Sequence, residues 1–97
     1  MIEAAVAMTT TNSELEAKKL AGGLVKDKLA ACVQILPKMH SIYEWDGEIH
    51  DDQEYLLLIK TRKELLKDVK KFIEKNHSYE VPEFVALPVV DALGAYL

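Results

Sequence analysis

Cysteine is almost missing from this chain. Cys32 is the only one in 97 residues, so no internal disulfide can form, and a lone thiol suits a reducing compartment. Long hydrophobic runs are also missing: nothing approaches the ~20 apolar residues of a membrane-spanning helix. The opening "MIEAAVAMTTTN" has no basic start ahead of its apolar stretch, which argues against a secretory signal and makes the cytoplasm the expected location. Positive charge is in short supply, with 12 Lys and Arg against 16 Asp and Glu, and a net charge of −4 argues against a nucleic-acid partner. The cations that cluster between Lys60 and Lys75 are interspersed with Glu64, Asp68 and Glu74 and read as a solvated helix face. There is no low-complexity segment, no solenoid repeat, no HExxH, no CxxC pair and no glycine-rich phosphate loop.

What is present is apolar content: hydrophobic residues make up 49% of the chain, too many for a disordered segment and enough for one domain over residues 1–97. A domain of this size buries only about two-thirds of its unfolded surface, so its core is modest. Hydrophobic periodicity sets the organisation. "IEAAVAM" reads as a central strand over 2–9. "SELE" is a capping box, with Ser13 at the N-cap and Glu16 three residues on, opening a helix with Leu20, Ala21, Leu24, Val25 and Leu29 on its apolar side. Gly22 and Gly23 inside that helix cost about 1 kcal/mol each relative to alanine and imply close packing or a kink.

Strand formers dominate 32–60 around the turn dipeptide Asp46-Gly47, which predicts a long hairpin over 32–45 and 48–60. "TRKE" supplies a second capping box, Thr61 with Glu64, ahead of a helix presenting Leu65, Leu66, Val69, Phe72 and Ile73. A last strand is expected over 83–90. The order β-α-β-β-α-β is the split βαβ pattern of ferredoxin-like α+β domains with an antiparallel sheet, in which the first and third strands are central. Pro37 and Pro88 fall in the two predicted edge strands, where a missing donor is tolerated.

Both helices of such a domain cover one side of the sheet, yet the third strand is apolar on both, with Tyr55, Leu57 and Ile59 alternating with Leu56 and Leu58. Tyr43 and Trp45 at the hairpin tip would stand in water on a monomer. Exposed apolar surface of this extent predicts an oligomer.

"KLAACVQILPKMHSIYEWDGEIHDDQEYLLLIKT", followed by "HSYEVPE" and a terminal "YL", resembles the CutA family of divalent-cation tolerance proteins over essentially the whole chain. The resemblance implies a ferredoxin-like homotrimer with polar residues gathered in clefts between subunits, an association with tolerance to copper and other heavy metals, and metal binding by some members. Some bacterial relatives bind copper through a cysteine late in the first strand and histidines at the position of the "NH" pair. Here those positions hold Met8 and Asn76 beside His77, and the chain stops at Leu97, ahead of a tryptophan-bearing tail common in relatives.

His77, Met8 and Cys32 are therefore the candidate metal ligands and copper, or another divalent cation, the expected ion; no organic cofactor is expected. A thioether suits Cu(I) and imidazole suits copper and zinc. Each has a plainer reading as well: His77 as a cap on the second helix, Cys32 as a small buried hydrophobe. His50 with Asp51 and Asp52 reads as a solvated acidic hairpin tip or a cation site. Lys60, Tyr79, Glu83 and Trp45 are the candidate cleft residues, with Lys60 either paired to Glu83 or recognising an anion. Val81 precedes Pro82 and is held extended, which makes the segment a stiff entry into the last strand. Two functions follow: a trimeric metal-binding or metal-responsive protein, or a non-enzymatic trimeric scaffold or sensor binding a small ligand in its intersubunit clefts. No nucleophile, base and orienting residue occur at a recognised spacing, so no enzyme is expected.

Overall fold

The computed structural model describes residues 3–97, and the predicted strand position at Ile2 lies outside the described residues. In chain order the elements are β1 (Ala4–Thr11), α1 (Glu14–Lys26), β2 (Cys32–Trp45), β3 (Glu48–Arg62), α2 (Leu66–Asn76) and β4 (Val85–Pro88). They form one antiparallel sheet in the order β2-β3-β1-β4, so β3 and β1 are central and the two proline-bearing strands lie at the edges. This is the ferredoxin-like arrangement. The hairpin turns through Asp46 and Gly47, both at positive φ (53° and 80°), as a two-residue type I′ connection requires. Pro37 sits where the β2–β3 register shifts between Leu36 and Met39, a bulge that removes the ladder position its nitrogen could not fill.

Strand alternation gives the sheet two unlike faces. Ala5, Ala7 and Thr9 of β1 stand opposite Thr61, Ile59 and Leu57 of β3, and this face packs against Ala17, Leu20 and Leu24 of α1 and Val69 and Ile73 of α2. Leu57 and Ile59 are wholly buried there. The opposite face carries Val6, Met8, Leu56, Leu58, Val85 and Leu87, and no helix or strand among the described residues covers it.

Three local expectations differ from the structure. The second capping box does not form: Thr61 remains in β3, and its hydroxyl donates to the Leu29 carbonyl at 2.6 Å, while a single 3-10 turn over Lys63–Leu65 leads into α2. Tertiary contact outcompetes the local cap. The first box is only half made. Ser13 accepts from the Glu16 amide at 3.1 Å, but the Glu16 carboxylate turns away to accept from the Thr11 hydroxyl and from the Ser78 amide (2.7 Å) and hydroxyl (2.9 Å). The last strand is four residues long: Pro82 and the loop before it stay off the sheet, and Pro88, opposite Ala5, stands where no amide is needed, the Val89 amide adding one more bond to the Ala4 carbonyl at 3.0 Å.

Glu16 thus ties the start of α1 to the segment after α2. Burial raises its pKa, but the hydrogen bonds from Thr11 and Ser78 outweigh burial and leave it below the ordinary carboxylate value. A carboxylate with a lowered folded pKa contributes stability that is present above its unfolded pKa and lost as pH falls through the folded one. Glu16→Gln is expected to flatten the fall of the unfolding midpoint below about pH 5. An acid limb as steep as that of the unaltered protein would contradict this.

The two glycines of α1 have different explanations. A Cβ on Gly23 would lie 2.6 Å from the Phe72 ring tip, so glycine is what lets α1 and α2 approach, whereas a Cβ on Gly22 meets nothing within 4 Å. Gly22→Ala is expected to stabilise the protein by up to about 1 kcal/mol through helix propensity, and Gly23→Ala to lose that gain to the displaced ring. Equal urea midpoints for the two variants would refute the distinction.

Candidate functional site

The residues between α2 and β4 wrap the far end of β1. His77 caps α2, its amide donating to Ile73 at 3.0 Å, and its buried ring faces away from the helix end. Nε2 lies 2.7 Å from the Thr10 carbonyl, and Nδ1 lies 3.0 Å from the Tyr79 amide. A carbonyl only accepts and an amide only donates, so the proton is on Nε2 and the Nδ1 lone pair is taken. In this arrangement neither nitrogen is free for a metal.

Tyr79 continues onto the uncovered face, where its hydroxyl donates to Glu54 at 2.8 Å. Burial, reinforced by that bond to Glu54, pushes the phenol well above its ordinary range. Glu54 is 8% exposed. Glu83 is raised by partial burial and then by the charge of Glu54. Two carboxyl groups and a phenol therefore form an acidic end to the open face. Glu54 is a participant the sequence reading missed; its signal is strand parity, which puts an acid on the same face as Leu56 and Leu58.

Lys60 stands at the other end of that face. It is separated from Glu54 by about 20 Å along β3 at the strand repeat. The expected Lys60–Glu83 pair is not made within the chain; the ammonium lies 5.6 Å over the Tyr96 ring, and Lys60 is the cross-strand partner of Cys32. Trp45 is farther still, 66% exposed at the hairpin tip and paired with Glu48. Of the four cleft candidates, one chain brings together only Tyr79 and Glu83.

The metal candidates are also dispersed. Met8 on β1 pairs with Leu58, Cys32 on β2 pairs with Lys60, and His77 lies beyond the end of β1. Among the described residues no three His, Cys, Asp or Glu side chains are grouped to hold an ion. At the hairpin, Asp51 meets His40 at 2.8 Å, Asp52 accepts from Tyr43, and the Tyr43 ring stacks on His50 with centroids 5.4 Å apart. These acids are engaged in cross-strand pairs.

A β2-β3-β1-β4 sheet with helices on one face, and an apolar open face with one acidic and one cationic end, defines a ferredoxin-like subunit with surface left to cover. The description "CutA1 divalent ion tolerance protein" fits residues 5–97, and the chain belongs to that family. It is 47% identical over 92 residues to the chloroplastic protein CutA of Arabidopsis thaliana, covering 95% of this chain and 50% of that protein. It is 45% identical to the divalent-cation tolerance protein CutA of Thermus thermophilus, covering 95% and 89%. The crystal structure of CutA1 from Oryza sativa superposes with a TM-score of 0.96 at 41% identity, covering 99% of this chain and 88% of that one. The chain spans about half the length of the plant and animal relatives it matches. No helix among the described residues is long and apolar enough to cross a membrane.

Proposed function

We propose that this chain serves divalent-cation tolerance as a homotrimer whose contacts with metal are completed between copies. The observation that carries the reading is the uncovered apolar face, on which Val85 and Leu87 are 45% and 50% exposed beside Val6, Met8, Leu56 and Leu58. A patch of that kind on so small a domain is covered by another chain. The outer edges of β2 and β4 leave backbone donors and acceptors for a neighbour, and a closed ring of identical copies satisfies face and edges together. Ile42, Trp45 and Ile49, exposed along the hairpin arm, support the same assembly.

Copper is the ion proposed, and its preference is for sulfur and imidazole. The residues of one chain do not fit a metal centre: Met8 and Cys32 share the open face but lie on strands with β3 between them. A donor set built from those sulfurs needs a second copy. His77 joins it only by releasing the Tyr79 amide. We assign no reaction and no organic cofactor, in keeping with relatives named for tolerance. The cytoplasm is the location proposed from the lone thiol, although the Arabidopsis and rice relatives are named chloroplastic.

The test combines light scattering with calorimetric titration of Cu(I), Cu(II) and Zn(II) into the protein and its Cys32→Ser and Met8→Leu variants. The expected mass is three times the 10.9 kDa chain, with copper affinity weakened about tenfold in Cys32→Ser and the assembly intact. A monomer overturns the assembly; unchanged copper affinity in both sulfur variants overturns the ligand assignment.

A further inference from the structure

The open face carries its charges at its two ends, and neither end is neutralised within the chain. At one end Glu54 accepts from the Tyr79 hydroxyl, and Glu83 is raised above the ordinary carboxyl value by partial burial and then by the charge of Glu54, as happens where no cation is near. At the other end the Lys60 ammonium lies 5.6 Å over the Tyr96 ring. None of the ion pairs among the described residues includes Lys60, Glu54 or Glu83. About 20 Å of β3 separates the two ends, so one chain cannot bring them together.

Between the ends lie Leu56, Leu58 and Met8, part of the surface that the proposed homotrimer covers. Covering it takes water from the charges at its margins, and a charge removed from water without a partner is costly. The orientation of the copies decides whether partners exist. If β3 ran along the threefold axis, three lysines would meet at one end of the assembly and three pairs of carboxyl groups at the other, like charge against like. If β3 runs around the axis, the cationic end of each copy meets the acidic end of the next, and a head-to-tail contact of that kind closes into a ring.

We infer that the copies stand head to tail around the axis, with Lys60 of one copy paired to Glu83 and Glu54 of the next. The inference rests on the homotrimer proposed above and adds its polarity. Each acidic end then holds two carboxyl groups, a phenol and an ammonium, a site that no single chain contains. Tyr79 already holds the Glu54 carboxylate in place, so pairing has mainly the lysine left to order. Two copies placed the wrong way round set like charges together, so the residues that join the right contact also exclude the reversed one.

The test compares light scattering of the unaltered protein with that of Lys60→Glu, Glu83→Lys and the double variant, with circular dichroism to confirm the fold. Glu83 is exposed and Lys60 half-buried in the single chain, so the fold of one copy tolerates both changes. Each single change opposes like charges, and the scattering mass is expected to fall by about threefold. The double variant restores an opposite pair and is expected to recover the full mass. Lys70→Glu, on the exposed side of α2, alters net charge as Lys60→Glu does and should leave the mass unchanged. A carbodiimide gives a second measurement on the unaltered protein, since it joins an ammonium to a carboxylate only in direct contact. Amide links from Lys60 to Glu83 or Glu54 are expected in coupled chain dimers and trimers. A monomeric unaltered protein would overturn the homotrimer and this polarity with it. A trimer that keeps its mass in both single variants, that the double variant does not restore, or that yields neither link would overturn the head-to-tail pairing and leave the homotrimer standing.

Discussion

Leu58→Glu is expected to leave this protein monomeric, with scattering mass falling by about threefold and the far-ultraviolet circular dichroism unchanged. Leu58 lies on central strand β3 but on the uncovered face, between Leu56 and Lys60. In an isolated chain its side chain is only half-buried, so a carboxylate there stays near water and the fold tolerates it. In an assembly that covers this face the same carboxylate is desolvated beside Val6, Met8 and Leu87. An unpaired charge in such a place costs several kcal/mol in each copy. Leu15→Glu is the control, because Leu15 is 71% exposed on α1 and off the open face; its assembly should be unaltered. Retention of full size by Leu58→Glu, with Leu15→Glu also unchanged, would show that this face is not the one that associates.

His77→Ala is expected to destabilise the protein by about 2–4 kcal/mol, since it strips the Thr10 carbonyl and the Tyr79 amide of their partner and opens a cavity beneath the wrapping segment. The buried ring joins the end of β1 directly to the segment leading to Tyr79, beside the Glu16 carboxylate that bridges Thr11 and Ser78. Its loss therefore also loosens the Tyr79–Glu54 contact across the sheet end. Urea denaturation at equal protein concentration measures the cost, and a copper titration on the same sample separates stability from binding. Copper affinity is expected to follow the folded fraction. A variant that keeps its urea midpoint and loses copper would make His77 a ligand and not a clasp.

The backbone plan was legible in the sequence because its signals are local. Alternation in "EYLLLIK", the Asp46-Gly47 turn and the two helical stripes each act within a few residues, and the sheet order follows from them. The capping boxes mark the limit of local reading. Thr61 had Glu64 at the right spacing, yet the Leu29 carbonyl, from a distant part of the chain, took its hydroxyl. Glu16 was likewise drawn from Ser13 to Ser78.

The candidate site was legible in composition but not in geometry. Lys60, Tyr79 and Glu83 do face the open side; within one chain β3 holds Lys60 at the opposite end from the other two, and the expected cleft was one between copies, which a single chain does not contain. Glu54 escaped notice because a glutamate before an apolar run looks solvated until the strand parity turns it inward. His77 carried two roles in the sequence, ligand or helix cap. Its ring serves a third, since no periodicity shows that a ring after α2 will reach the carbonyl of Thr10 in β1.

The place of β1 has a kinetic consequence. β2 and β3 are joined by two turn residues, so their ladder closes within microseconds of the chain being released from denaturant. β1 joins after the hairpin on topological grounds, because Ala4 must find Arg62 and Thr11 must find Tyr55 across the whole intervening sequence, and β4 can add only once β1 is in place. Until then β3 presents a long, apolar, unpaired edge, the template on which a second hairpin can add. Refolding should therefore slow and lose yield as protein concentration rises, and amide protons of β1 should gain protection from solvent exchange after those of the hairpin.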